Sequence, residues 1–379
     1  MATIDSGQDY DVIHTLTFNS GSGTCAIRLY RGSTTAYSGT VYYRAGTSGE
    51  WTELSVSGTT TTFPASSTTM QVGHSNNKDG DHYMTVSFYG QSTNLTGVAI
   101  SQKAVYSGAV GDYFWTYYVR DCAALTSIDV PDTSGVTSAG DGFASYYVYG
   151  CTSITSLAAP DTGSITSVGQ YFFYSHANGC TSLTTADVPD TSSLTSAGDY
   201  FLYWYVRGCT SLISVGVPDT SGLTSVGYRF FYGYAYGCTS LTSLAAPDTG
   251  SITSVGDYCM YSYASHCTSL TSLGIPDTSS LTSVGSNFME YYATDCDALL
   301  RLELPAAGWF VGHNINWSVP SARLNYLKGY VGNSTDQTAW QALTVSTKTL
   351  YINYIRSSDD VILEESGVTL FGGTWGMIT

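Results

Sequence analysis

From residue 111 to residue 305 the apolar positions of this chain recur every 29 residues without an insertion, and a rung one residue out of phase begins at Leu95. Each unit carries Leu-x-x-Leu-x-apolar, as in Leu241, Leu244 and Ala246 or in Leu270, Leu273 and Ile275, and ends in a proline at 131, 160, 189, 218, 247, 276 or 305. That spacing is the strand signature of a leucine-rich repeat. Proline fixes φ and the following aspartate accepts a local backbone N–H, so Pro-Asp-Thr-Ser predicts a turn. A second apolar pair, Leu223 and Val226 for instance, leads to a glycine and commonly to Asp112, Asp141, Asp199 or Asp257. These aspartates are placed to cap a helix of about two turns. Three residues after each glycine stands Phe114, Phe143, Phe172, Phe201 or Phe230, then Cys259, then Phe288.

A motif this small cannot bury its apolar face alone, so stacked rungs must share one core and need capping at both ends. The expected fold class is a repeat α/β solenoid of seven 29-residue leucine-rich repeats, with a parallel sheet and short helices, over residues 95–305. Residues 1–94 alternate apolar and polar positions between Gly, Ser and Asn clusters, as from Thr40 to Tyr43 and from Met84 to Tyr89, which predicts an antiparallel β-sandwich that anchors or caps the solenoid. Leu95, Val98 and Ile100 begin a degenerate rung. After Pro305 the period fails, and 306–379 is expected to be a mixed α/β cap or small domain.

The chain is polar without being highly charged: 11% charged residues, a net charge of −16, 32 tyrosines and 40 glycines. Few cations are left to neutralise phosphates, which argues against nucleic acid and anionic membranes. No apolar run reaches the ~18–20 residues a span requires, and the N-terminus lacks the basic-then-apolar pattern of a conventional export signal. Seven of the nine cysteines (Cys122, Cys151, Cys180, Cys209, Cys238, Cys267 and Cys296) occupy one column. An odd, evenly spaced column fits small buried residues better than disulfides.

Between glycine and cysteine the rungs differ from one another. On a helix over Tyr113 to Arg120, Phe114, Trp115, Tyr118 and Val119 share an inner face. The positions of 113, 116, 117 and 120 share the outer one, and 14 of those 28 positions are Tyr or Trp, the rest mainly Ser, Gly, Asn and Arg. Antibody combining loops use the same vocabulary, because rigid amphipathic rings offer contact area at low entropic cost. The candidate ligand-binding residues are Tyr117, Arg120, Tyr146, Tyr149, Tyr174, Asn178, Tyr203, Trp204, Arg207, Arg229, Tyr232, Tyr236 and Tyr261. The plainer alternative has these tyrosines merely covering the outside and packing rung to rung.

Rungs such as Gly237-Cys238-Thr-Ser-Leu241-Thr-Ser-Leu244, followed by Pro247-Asp248-Thr249-Gly-Ser-Ile252-Thr-Ser-Val255-Gly256, resemble the BspA-type leucine-rich-repeat surface proteins. The resemblance spans about 210 residues, although the Phe-to-Cys segment is longer here than in that family. It implies surface recognition as a class, on a bacterial surface or a phage tail, and carries over no binding residue.

Catalytic and metal chemistry find little support. The aspartates after the prolines (Asp132, Asp161, Asp190, Asp219, Asp248 and Asp277) are uniform, whereas catalytic pairs need unlike environments. His74, Asn76, Asn77, Asp79, Asp81 and His82 complete neither a calcium loop nor a zinc site. His176 and His266 stand singly. The sequence therefore predicts a non-enzymatic adhesive or receptor-binding protein without cofactors, whose partner is a cell-surface glycan or protein. Residues 1–94 offer a possible contact with a second copy or another structural subunit. A passive virion or surface scaffold, and ice binding through the regular Thr-Ser rows, are the alternatives.

Overall fold

The computed structural model describes residues 10, 12–33, 38–75, 85–90, 94–102, 106–278 and 280–299, together with short strands at 3–4, 78–79, 82–83, 301–303, 326–331, 348–352 and 368–371. Among the described residues the first hundred form two larger, mainly antiparallel sheets, beside a two-stranded pair of Lys78–Asp79 with His82–Tyr83. Thr69–His74, Val12–Phe18 and Leu95–Gln102 lie side by side in one, and Thr85–Tyr89, Thr24–Tyr30 and Thr61–Pro64 in the other. Apolar residues from both, including Leu16, Val72, Ile27 and Phe88, belong to the cluster that continues through the rungs. The join is a continued ladder: Leu95–Gln102 pairs in parallel with Ser127–Ile128, and Thr85–Tyr89 with Val119–Arg120. The expected α/β cap over 306–379 lies outside the described residues, except that the strands from 301 to 371 pair in parallel in chain order.

The repeats form a β-solenoid of about seven turns. Two short strands per rung pair in parallel with their counterparts one rung on, as Ser156–Leu157 with Thr185–Ala186 and Ser167–Val168 with Ser196–Ala197. Leu125, Ile154, Leu183, Leu212, Leu241, Leu270 and Leu299 are fully buried.

The expected helices are absent among the described residues. In every rung the positions of Tyr113, Trp115, Tyr117 and Asp121 instead have φ between 50° and 77°, including the glycines that occupy some of them. The N–H groups leave the segment sideways. Tyr117 and Val119 donate to the carbonyls of Ser145 and Tyr147 at 3.0 and 2.9 Å, and Ala144 donates back to Phe114 at 2.9 Å. The physical reason is spacing. Helices pack 8–10 Å apart, whereas rungs joined by parallel ladders repeat every ~4.8 Å, so a helix in each rung would splay the stack. A flat segment of alternating handedness keeps the strand spacing. Each non-glycine left-handed residue costs roughly 1–2 kcal/mol, which the inter-rung hydrogen bonds and the burial of large rings offset.

Other columns follow from the same spacing. A Cβ on Gly198 would stand 2.5 Å from the carbonyl carbon of Gly169, so the glycine column is a backbone contact. Asp112, Asp141, Asp199 and Asp257 cap no helix. Their Oδ1 atoms accept the N–H of Asp141, Gln170, Tyr228 and Ser286 in the next rung at 2.7–2.9 Å. The aspartates after the prolines make local turns, as when Asp190 accepts the N–H of Ser192 at 3.0 Å and its hydroxyl at 2.7 Å. Those donors hold the Asp190 carboxyl below the ordinary carboxylate range. All nine cysteines are buried. The thiols of Cys209, Cys238, Cys267 and Cys296 donate to carbonyls of the preceding rung at 3.0–3.1 Å, and burial pushes Cys180 and Cys238 up to about 12.

A buried ring column runs Tyr118, Tyr147, His176, Tyr205, Tyr234, Tyr263 and Tyr292, with centroids 5.1–5.5 Å apart. Most of its hydroxyls donate to the carbonyl 18 residues earlier, as Tyr205 to Asp187 and Tyr263 to Ala245. His176 keeps the stack, at interplanar angles of 3° and 8°, but its Nε2 is buried without a partner. Burial lowers its pKa to about 3. Below the ordinary histidine value near 6.5 the unfolded chain binds a proton that the folded one refuses. Stability attributable to this group is complete above that value and falls by about 1.4 kcal/mol per unit as the pH drops toward 3. His14, buried beside His74, is likewise held neutral by burial and adds to the trend. His176→Tyr, whose hydroxyl can reach the carbonyl of Ala158 by the column's rule, should raise the melting temperature by several degrees and flatten, without abolishing, its decline between pH 6 and pH 4 in thermal scans.

Candidate functional site

The alternating segment presents four outward columns, named by their first-rung residues 113, 116, 117 and 120. The 116 column is the least outward: Thr116, Ser145, Tyr203 and Glu290 are buried in it. Asn178, in the 120 column, is also buried. Turns at strand spacing draw Tyr203 and the rest of the 116 column between neighbouring rungs, and Asn178 is 6% exposed in its own column.

The tyrosines stack along the solenoid. Tyr174, Tyr203, Tyr232 and Tyr261 form an unbroken pile with centroids 4.7, 4.7 and 4.8 Å apart. Tyr171 and Tyr200 stack at 4.8 Å in the 113 column, and Tyr117 and Tyr146 likewise in the 117 column. Burial raises the phenols of Tyr203 and Tyr261 to about 12. Packing from rung to rung is thus one job of these rings. Near the first sheets, Tyr117, Tyr146, Tyr149 and Arg120 continue this surface, joined to the pile where the Tyr146 and Tyr174 rings lie 5.2 Å apart, with the Arg120 guanidinium 5.2 Å from the Tyr149 ring and 3.1 Å from the Asp121 carboxylate. Arg229 is ringed by Tyr200, Tyr203, Tyr228, Tyr232 and Tyr258 at 4.9–5.8 Å.

Five of the expected residues, Trp204, Arg207, Tyr232, Tyr236 and Tyr261, line one groove of about 420 Å³. Ser262, Ser265, His266, Tyr291 and Thr294 complete it. Its origin is visible in the 117 column, which reads Tyr117, Tyr146, Ser175, Trp204, Gly233, Ser262 and Tyr291. Two consecutive small residues between Trp204 and Tyr291 leave a gap three rungs long, roughly 14 Å at strand spacing. The Tyr232–Tyr261 pile forms one wall and the 120 column, with Arg207 and Tyr236, the other. The indole of Trp204 leans into the space over Gly233, whose φ is 59° and whose added Cβ would meet the indole Cδ1 at 2.6 Å. Arg207 lies over the Trp204 ring at 4.3 Å and 5.5 Å from the Tyr236 ring. His266 stands edge-on to Tyr236 at 4.8 Å and pairs with Asp295 at 3.1 Å. Reading each column down the chain, from large to small to large, would have found Gly233 and Ser262. Reading each rung separately did not.

Six copies of the family model described as BspA type leucine rich repeat region match residues 113–235 and 206–299. Over residues 113–299 the solenoid is similar to repeats of the BspA type. No curated protein and no solved structure matches the chain. BspA-type repeats are generally a non-enzymatic scaffold, associated with surfaces and with interaction or adhesion. Among the described residues no group of three or more His, Cys, Asp or Glu side chains is placed to hold a metal ion, and no helix is long and apolar enough to cross a membrane. Of the Asn, Asp and His residues near position 80 whose spacing completes no metal site, Asn76, Asn77 and Asp81 lie outside the described residues, while His74 is buried beside His14.

Gly233→Ala places a side chain against the indole at a left-handed position. It should cost roughly 1–2 kcal/mol, a few degrees of melting temperature. The accompanying change in tryptophan fluorescence or near-ultraviolet dichroism reports the displacement of Trp204.

Proposed function

We propose that this is a non-enzymatic surface-recognition protein, an adhesin or the receptor-binding part of a bacterial surface or phage tail, and that the groove between Trp204 and Tyr291 is where it holds its ligand. The observation that carries this reading is the break in the 117 column. Tyrosines that only cover the solenoid would continue through Gly233 and Ser262, as they do at Tyr117 and Tyr146. Here the covering is interrupted and the walls left standing are Trp, Tyr and Arg, the residues that most often anchor binding interfaces. The two outer faces made by the short strands offer small hydroxylated residues instead.

The threonine rows support a fastening role rather than ice binding. Thr184 donates its hydroxyl to the carbonyl of Thr155 at 2.9 Å and Thr271 to that of Thr242 at 3.1 Å, and the 55% exposed Ile213 interrupts the row.

Ser262→Tyr tests the reading with little risk to the fold, because Tyr117, Tyr146 and Tyr291 already occupy that column with φ between 51° and 57°. The variant should melt within a few degrees of the parent while attachment to host cells or to an immobilised surface extract falls at least tenfold. Undiminished attachment by a folded Ser262→Tyr protein would place the ligand elsewhere.

A further inference from the structure

The distribution of charge narrows the ligand. Between residues 104 and 300 an acidic chain keeps only Arg120, Arg207 and Arg229 as basic side chains. All three lie among the aromatic rings of one face. The repeated carboxylates stand in the corner rows, where turn and inter-rung N–H groups engage them. Two of the arginines are occupied: Arg120 by Asp121, and Arg229 by its cage of five tyrosines. Arg207 differs. It lines the groove, and among the described residues no carboxylate stands within ion-pair range of it. Two acids near this end are engaged, Asp295 with His266 and Glu290 with Asn287. With its Cζ 4.3 Å from the Trp204 ring centroid and no carboxylate beside it, this guanidinium can receive a ligand carboxylate bidentately.

The remaining lining is ring faces and hydroxyls, from Tyr232, Tyr236, Tyr261 and Tyr291 with Ser262, Ser265 and Thr294, together with the His266 imidazole, which faces Asp295, and it contains no aliphatic side chain. Backbone N–H groups of the segment, such as those of Gly233 and Ser262, already donate to the next rung. An extended peptide would therefore find neither a free strand edge to pair with nor an aliphatic pocket for an anchor. A sugar presents an apolar ring face to an aromatic ring and hydroxyls at its rim, which this lining matches. Resting on the recognition reading above, we infer that the groove takes a carboxylated oligosaccharide, with a sugar ring against the Trp204–Tyr236 end and its carboxylate on Arg207.

The test uses the full chain and two carboxylated probes, trigalacturonate and sialyllactose, each beside its methyl ester, with binding followed by calorimetry or tryptophan fluorescence. At least one acid should bind. Its methyl ester and the Arg207→Ala variant should each weaken that binding tenfold or more, Arg207→Lys should fall between, and raised salt should weaken the acid more than the ester. Equal binding of acid and ester to the unaltered protein would overturn the carboxylate inference while Ser262→Tyr still abolished binding, leaving the groove reading intact. Tight binding of peptides from a host surface protein, blocked by Ser262→Tyr, would also overturn it. Ligand capture that survives Ser262→Tyr would sink the groove itself.

Discussion

Everything in the solenoid answers to one constraint, that every part of a rung must repeat at the spacing of a parallel β-ladder. Two short strands set that spacing, and the rest of the 29 residues must keep it. Rings meet it by stacking, with centroids of 4.7–4.8 Å in the Tyr174–Tyr261 pile. Backbone that is not strand meets it by alternating handedness and donating sideways. Glycine meets it where two backbones touch. Thiols, threonines and aspartates meet it by reaching carbonyls and N–H groups of a neighbouring rung.

The repeat, its buried Leu and Cys columns and its Pro-Asp turns were legible in the sequence because each is a local or strictly periodic demand. The helices were misread for a definite reason. Inward positions at 114, 115, 118 and 119 fit a helical face, but the same sidedness arises from turns of alternating handedness, and only the width of a helix against the rung spacing separates the two. The aspartates following the glycines were misread with them, since a residue poised to cap a helix is equally poised to bond the next rung.

Half of the candidate site was legible in the same sense. Tyr and Trp among Ser, Gly and Arg marked the face, and Trp204, Arg207, Tyr232, Tyr236 and Tyr261 do meet in the groove. The burial of Tyr203 and Asn178 was not legible, because it depends on the rungs above and below and not on their own. Gly233 and Ser262 were overlooked because their contribution is the space they leave.

The sequence of sizes down the 117 column behaves as an address. Because each rung bonds only to its neighbours, a whole 29-residue unit removed between Gly150 and Gly179, where the column carries Ser175, would bring the slot one pitch nearer the N-terminal sheets without redrawing its walls. Exchanging which two adjacent rungs carry the small residues would instead relocate the opening on an unchanged rod. Such a molecule can alter what it meets, and how far from its base it meets it, through independent edits.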